Sequence, residues 1–467
     1  MLRSTLLTID YIAIIYFIII NITYIFLNFI AFFSIRKNQL KEEVLDIEKR
    51  FSSEFYKPLS IIVPAYNEQE TITENLNSIL KLEYPEFEII VVNDGSTDNT
   101  MEKLIEDFNL TTFNKNYSED IETKNIKNIY KSTSHPELFI IDKENGGKGD
   151  ALNAGVNLSD YPLVCNIDAD SIIDSKALLS IVVPFVNDWR VVAAGGTVRI
   201  ANSSKIQNGK VKEVKLSNKY LVRMQVIEYL RAFLFGRVGW AGINSLLIIS
   251  GAFGVFKKKH LIKAGGYNTN TVGEDMELVL RLNRKMNKNK RKYKIVFLPE
   301  PVCWTQVPEK LSSLKSQRKR WHQGLGESLL YNFEMFFNPH YGTSGLIAFP
   351  FYFFIELLGP IIEIFGYSAI ILTILLEFDG NNVVLLFLIS SILLGVLLSL
   401  TSLLFEEMTF RKYKKTKDVI ILSFYAILEN FGYKQLNSIW RFIGLYKLIT
   451  RNKEWGYQER SSFNVEE

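Results

Sequence analysis

The sequence predicts an α/β domain with a largely parallel sheet, flanked by membrane-spanning helices. Three observations carry this. Apolar, β-branched runs alternate with amphipathic stretches from Leu59 to Ile167, the pattern of a parallel sheet covered by helices on both faces. Acidic motifs follow the ends of those runs, where such sheets bind ligands. Apolar segments of bilayer length stand towards both ends of the chain.

Composition narrows the function classes. A chain of 467 residues is long enough for one or two domains with a sizeable core. Its 48% hydrophobic content and mean hydropathy of +0.07 are high for a purely soluble protein. A net charge of +4 leaves no nucleic-acid footprint. Cys165 and Cys303 are the two cysteines, which excludes a disulfide framework and suits a reduced, cytosolic catalytic part. Four scattered histidines lack metal-ligand spacing, so a zinc site is not expected.

Leu6 to Phe33 is almost wholly apolar and reads as a retained anchor, being longer than a signal-peptide core and lacking a small-residue cleavage site. Arg36, Lys37 and Lys41 place its far flank in the cytoplasm. Leu346 to Phe378 is interrupted by Pro350, Glu356, Pro360 and Glu363. It is either one broken span or an interfacial helix leading into a span. The glutamates either line a polar path or sit at the interface, the plainer alternative. Val383 to Phe405 is a clean span, followed by Arg411, Lys412, Lys414, Lys415 and Lys417, which again puts residues 36–345 in the cytoplasm. Val419 to Tyr433 is shorter, contains Glu429, and either spans or lies in the interface.

Within the polar part, Ser60–Val63, Glu88–Val92, Leu138–Ile141 and Leu163–Ile167 read as buried strands. Glu68–Glu83 and Thr97–Phe108 have helical spacing, and Lys148–Val156 opens a third helix. Leu110–Pro136, rich in Asn, Lys and Ser, reads as a surface insertion.

The motifs fall at the strand ends. Asp168-Ala169-Asp170 offers two carboxylates for a hard divalent cation and a nucleotide or sugar hydroxyl; an ordinary strand-to-helix turn is the bland alternative. Asp94, in Asn93-Asp94-Gly95-Ser96, suits either a base or ribose contact or an Asx turn. Glu144-Asn-Gly-Gly-Lys148-Gly-Asp opens a helix with backbone donors and a lysine for a diphosphate, without Walker or dinucleotide spacing. Glu274-Asp275 starts an amphipathic helix, where the dipole alone favours carboxylates; the functional alternative makes Asp275 a general base. Gln317, Arg320 and Trp321 share helical spacing, with Arg320 suited to phosphate and Trp321 to a sugar face or a membrane interface.

Taken together, Pro64-Ala65-Tyr66-Asn67-Glu68, Asn93-Asp94-Gly95-Ser96, Asp168-Ala169-Asp170, Gly273-Glu274-Asp275 and Gln317-x-x-Arg320-Trp321 resemble the family 2 membrane glycosyltransferases, the group of cellulose, hyaluronan and poly-N-acetylglucosamine synthases. The resemblance covers residues 58–330 well and the remainder more loosely. It implies a GT-A fold and an inverting transfer from a UDP-sugar with a divalent cation, Mg²⁺ or Mn²⁺. Tyr66, Glu68, Asp94, Lys148, Asp168 and Arg320 would hold the donor nucleotide, Asp168 and Asp170 the metal, and Asp275 with Glu274 the catalytic centre. Gln317, Trp321 and Gly251, in the loop Ser250–Gly254, would line the acceptor site. The chain departs from cellulose synthases by lacking Phe-Phe-Cys-Gly-Ser, and carries Gly273 where many members have Thr.

The domain organisation expected is an anchor over 1–35, a linker over 36–57, a GT-A domain over 58–335, transmembrane and interfacial helices over 336–450 and a tail over 451–467. The expected activity is sugar transfer to a growing polysaccharide at the cytoplasmic face of the plasma membrane. Transfer of a single sugar to a lipid is the alternative, and an inactive nucleotide-sugar-binding scaffold ranks behind both. Partners would be the UDP-sugar, the polysaccharide or lipid acceptor, membrane lipid and, with so few spans, an export partner.

Overall fold

A computed structural model describes residues 2–44, 56–207, 210–378 and 381–450. The tail expected over 451–467 and part of the expected linker lie outside the described residues. Alternating apolar runs form β1 (Leu59–Ala65), β2 (Phe87–Asp94), β5 (Leu138–Lys143) and β6 (Leu163–Ile167), with β3 (Leu110–Thr112) and β4 (Ile126–Ser132) between them in sequence. Next come β7 (Ser171–Ile173), β8 (Val191–Ile200), β9 (Lys205–Gln207), β10 (Lys210–Glu213), β11 (Phe253–Lys257) and β12 (Lys294–Thr305). All but β9 and β10 join one ten-stranded sheet, in the order β3-β4-β5-β2-β1-β6-β11-β8-β12-β7.

Neighbours β5, β2, β1 and β6 are parallel, as are β8 and β12. Strands β4, β7 and β11 run against the rest. This is a mixed, mostly parallel GT-A sheet. The four parallel strands are continuous apolar runs because helices cover both faces: Ile61, Ile62, Ile90, Val91, Ile140 and Val164 are fully buried. Residues 110–136 correct one expectation. They add β3 and β4 to the sheet edge rather than forming an irregular insertion. β4 lies next to the short edge strand β3 and leaves Lys127 and Asn128 exposed, so its polar residues fit a strand as well as they fit a loop.

The helix Leu2–Val44 continues past Arg36. Its Leu2–Arg36 part and Asn382–Thr409 are, among the described residues, the two helices long and apolar enough to cross a membrane. Ser344–Leu357 and Gly359–Leu375 form a pair bent by 44°, which counts as a third span if the two are continuous. Pro360, which has no N–H to donate, sits just past the bend. Thr416–Leu428 and Tyr433–Thr450 follow as shorter helices.

The helical layer is keyed to the sheet domain by buried polar pairs. Arg199 pairs with Glu406 and Arg231 with Glu429; within the helical layer the partly exposed Arg441 pairs with Glu356 at 3.0 Å. Glu356 also accepts from Tyr24 Oη at 2.5 Å, and Glu363 from Tyr16 Oη at 2.9 Å and from Ser438. These glutamates therefore join helices to one another. Removing one partner of the buried Arg199–Glu406 pair costs about 3–5 kcal/mol, because it strands the other charge.

Candidate active site

Five groups converge beyond the carboxyl end of β6. Lys148, first residue of the helix Lys148–Leu158, places Nζ 2.6 Å from Asp168 Oδ1 and 3.5 Å from Glu274 Oε1. Asp275 Oδ2 accepts the Gly251 N–H at 2.9 Å, and its Oδ1 the Met276 N–H at 2.8 Å. Gly251 is brought there by β11, whose Phe253 is registered opposite Ile167 of β6, and by Asn166 Nδ2, which donates to the Gly251 carbonyl at 2.8 Å. A Cβ on Gly251 would stand 2.8 Å from Lys148 Nζ, so a side chain here displaces the ammonium.

The electrostatics follow from crowding carboxylates in a partly dry site. Burial would lower the Lys148 pKa, but Asp168, Glu274 and Asp275 together hold it above the usual lysine range. Burial raises the Glu274 carboxyl, against the pull of Lys148. Burial, then repulsion from Asp168, raises the Asp170 carboxyl, and Lys148 and Arg320 oppose this. The charge of Arg320 in the Gln-x-x-Arg-Trp motif is thus felt at the Asp170 carboxyl.

The region expected to meet the nucleotide lies past β1 and β2. The Tyr66 ring is exposed, and Asn67 adopts φ of 55°, a left-handed conformation that Asn tolerates. Asn67 ties the two strand ends together: its N–H donates to Ser96 Oγ at 3.0 Å, and its Oδ1 accepts the Thr97 N–H at 2.8 Å. Glu68 is buried and accepts from Thr71 Oγ1 at 3.0 Å. Asp94 is also buried. Register sets it opposite Lys143, whose Nζ lies 2.7 Å from Oδ1. Its carboxylate further accepts the Gly146 and Gly147 N–H groups at 3.0 and 2.7 Å. Asp94 thus fastens the glycine-rich loop that launches Lys148. Gly147, at φ of 86°, occupies a conformation that favours glycine.

The Gln-x-x-Arg-Trp motif lies on the helix Leu311–Tyr331. Glu327 straps this helix to the loop before Glu274, accepting from Thr271 Oγ1 at 2.8 Å and from the Val272 N–H at 2.9 Å. Trp321 is exposed, and the guanidinium of Arg318 stacks on its ring 4.5 Å from the centroid. Arg318 is itself held by Glu228 at 2.8 Å, which also accepts from Tyr433 Oη at 2.9 Å. Gln317 Oε1 is buried without a hydrogen-bond partner. Next in sequence, His322 Nε2 lies 3.1 Å from the Leu357 carbonyl, with Arg441 Nε 3.4 Å from its Nδ1. Burial, aided by Arg441, brings the His322 pKa down to about 3.

Sequence reasoning missed Arg318, Glu228, Glu327 and His322. The spacing of Arg318 three residues before Trp321 was the one available signal, since such residues share a helix face.

Comparison with known proteins agrees with this architecture. The glycosyl transferase family 2 profile matches residues 60–258, and that of glycosyl transferase family group 2 matches residues 163–400. A poly-beta-1,6-N-acetyl-D-glucosamine synthase of Staphylococcus epidermidis is 33% identical over 275 residues, 59% of this chain and 56% of that protein. The synthase of the same name from Staphylococcus aureus strain COL is 32% identical over 297 residues, 63% of this chain and 59% of that protein. The matched stretch therefore spans a little over half the length of these relatives. A mannosyltransferase from Pyrobaculum calidifontis, solved with GDP-Man and Mn²⁺, superposes over 92% of this chain and 100% of its own, with a TM-score of 0.55 and 16% identity. At that identity the likeness is one of fold.

Proposed function

This chain belongs to the family 2 glycosyltransferases, and we propose that it transfers N-acetylglucosamine from UDP-N-acetylglucosamine to a growing polysaccharide at the cytoplasmic face of the plasma membrane. The carrying observation is the meeting of Lys148, Asp168, Gly251, Glu274 and Asp275 at one cleft. The named activity of the staphylococcal relatives supports the choice of donor and product. The basic flanks after the apolar helices support the orientation.

In this reading Tyr66 covers the base, and Glu68 and Asp94 shape the nucleotide pocket. Lys148 and Arg320 face the diphosphate. Asp275 takes the proton of the acceptor hydroxyl as that oxygen attacks the anomeric carbon. The bond from that carbon to the diphosphate oxygen breaks, UDP departs, and the configuration inverts. The Gly251 and Met276 N–H groups fix the Asp275 carboxylate, Glu274 steadies the Lys148 ammonium beside it, and Gln317 and Trp321 border the acceptor.

A divalent cation fits this donor set. Among the described residues no group of three metal-binding side chains occurs, but a cation that bridges phosphates needs only one or two carboxylates. Asp168 and Asp170 crowd each other, and Asp168 already holds a cation, the Lys148 ammonium. These two residues would hold the metal, which would neutralise charge on the departing diphosphate.

Membranes containing the protein, supplied with labelled UDP-N-acetylglucosamine or UDP-glucose and Mg²⁺ or Mn²⁺, test the proposal. A long, water-soluble polymer labelled from UDP-N-acetylglucosamine is expected. A short, solvent-extractable product would replace it with single-sugar transfer to a lipid, and absence of transfer would overturn the donor assignment.

A further inference from the structure

The helix Glu274–Lys288 opens with the acidic pair of the cleft and ends in a basic run, Lys288-Asn289-Lys290-Arg291-Lys292, all of it exposed. The neighbouring cations Arg281, Arg284 and Lys294 pair with Glu277, Glu334 and Asp188. Lys288, Lys290, Arg291 and Lys292 are in no ion pair among the described residues. The helix dipole accounts for a lysine in the last turn, but not for the three cations beyond it. Like charges gathered without carboxylates repel one another, and an anion relieves that repulsion.

The surroundings identify the anion. Tyr293, next in the chain, is buried, and its carbonyl accepts from Asn244 Nδ2 at 3.4 Å. The Ile243 carbonyl beside Asn244 accepts from Thr343 Oγ1 at 3.1 Å, just before the bent helical pair begins at Ser344. Gly242 packs on the apolar helix Leu2–Arg36, where a Cβ would stand 2.5 Å from Ile30 Cγ2. The basic run therefore stands beside the end of one apolar helix and the start of the bent pair. One turn before Lys288, Arg284 donates to the Tyr331 carbonyl at 3.2 Å. From there an aromatic surface leads into the bent pair: Phe333 stacks on Phe336 at 5.2 Å, and Phe337 meets Phe354 at 6.2 Å. Phe333, Phe337 and Phe354 are half-exposed, an apolar patch that continues the apolar surface of the bent pair. Cations beside exposed aromatics at the rim of membrane helices match a bilayer surface, with phosphates outside and acyl chains within.

We propose that Lys288, Lys290, Arg291 and Lys292 bind headgroup phosphates of anionic phospholipid, with Phe333 and Phe337 seated beside them at the headgroup–acyl boundary. The lipid then grips the far end of the helix whose first residues are Glu274 and Asp275. The inference rests on the membrane-spanning reading of the apolar helices and is independent of the sugar donor and product.

The test uses the full-length protein in phosphatidylcholine nanodiscs with a trace of phospholipid carrying a photoreactive group next to its headgroup. Phosphatidylglycerol and phosphatidylcholine versions of the probe are compared, and labelled peptides are mapped by mass spectrometry. The phosphatidylglycerol probe is expected to label residues 288–341 about fivefold more than the other, the preference that one basic side chain near the surface supplies. Sodium chloride should lower that ratio. Lys288→Gln, Arg291→Gln and Lys292→Gln combined should bring it close to one, with UDP affinity within about twofold of wild type as the sign of an intact fold. Equal labelling by the two probes in wild-type protein overturns the proposal, and so does a ratio that the triple variant leaves unchanged. Inorganic phosphate that displaces the label better than sodium chloride of equal ionic strength overturns it in favour of a free-phosphate site. Wild-type protein that stays in solution without detergent or lipid overturns the membrane reading itself, before any probe is used.

Discussion

Gly273 and Gly324 meet backbone to backbone: a Cβ built on either would stand 2.9 Å from the Cα of the other. The contact is the joint between the Glu274-Asp275 helix start and the helix that carries Gln317, Arg320 and Trp321. Ser328 Oγ reinforces it by donating to the Gly273 carbonyl at 3.2 Å. The glycine at 273 is thus matched by a glycine across the contact. Gly324→Ala is expected to push the helices apart at a cost of about 1–3 kcal/mol. Thermal unfolding should fall and transfer should drop at least several-fold. A variant with wild-type melting and turnover would show that the joint is slack.

Asp275→Asn retains the shape that accepts the Gly251 N–H but removes the proton acceptor. Transfer should fall by about 10²–10⁴-fold, while UDP affinity measured by calorimetry should stay within about twofold. Turnover near wild type would remove Asp275 from the base role.

Chelation tests the carboxylate pair. EDTA should abolish transfer, and added Mn²⁺ or Mg²⁺ should restore it. Asp170→Ala should weaken metal-dependent UDP binding while leaving any metal-independent part alone. Equal UDP affinity in wild type and variant, with and without the cation, would count against Asp170 as a ligand.

His322 gives the fold a pH dependence of known sign. Its folded pKa of about 3 lies below the ordinary 6.5, so between those values the unfolded chain binds more protons and stability rises with pH. The contribution is fully present above about 6.5 and is lost on acidification, approaching about 1.4 kcal/mol per pH unit. His322→Gln should therefore flatten the fall in melting temperature between pH 6.5 and 5. Parallel wild-type and variant profiles would place the acid sensitivity elsewhere.

The parallel strands were legible because β1, β2, β5 and β6 are covered on both faces and read as unbroken apolar runs. β4 was not, since it lies next to the sheet edge with Lys127 and Asn128 exposed, and such polar residues look like loop. Motif spacing placed Asp168 and Asp275 at strand and helix ends. That Gly251 joins them depends on register between β6 and β11, and that Lys148 does depends on the loop held by Asp94, neither of which a local pattern encodes. The partners of Asp94 were likewise out of reach, since its buried carboxylate binds Lys143 and two backbone N–H groups that lie about 50 residues further along the chain. Arg318 was read as a spacer within a motif, because its partner Glu228 is 90 residues away.

The long-range ion pairs also bear on the order in which the protein is completed. Arg199 and Arg231 leave the ribosome before Glu406 and Glu429, their partners 207 and 198 residues later. The sheet domain is therefore synthesised with cationic side chains awaiting neutralisation by helices not yet made. Its final seating must follow docking of Asn382–Thr409 and Thr416–Leu428. A chain cut after residue 335 would expose both arginines and leave the catalytic half unfinished, even with every residue of the cleft in place.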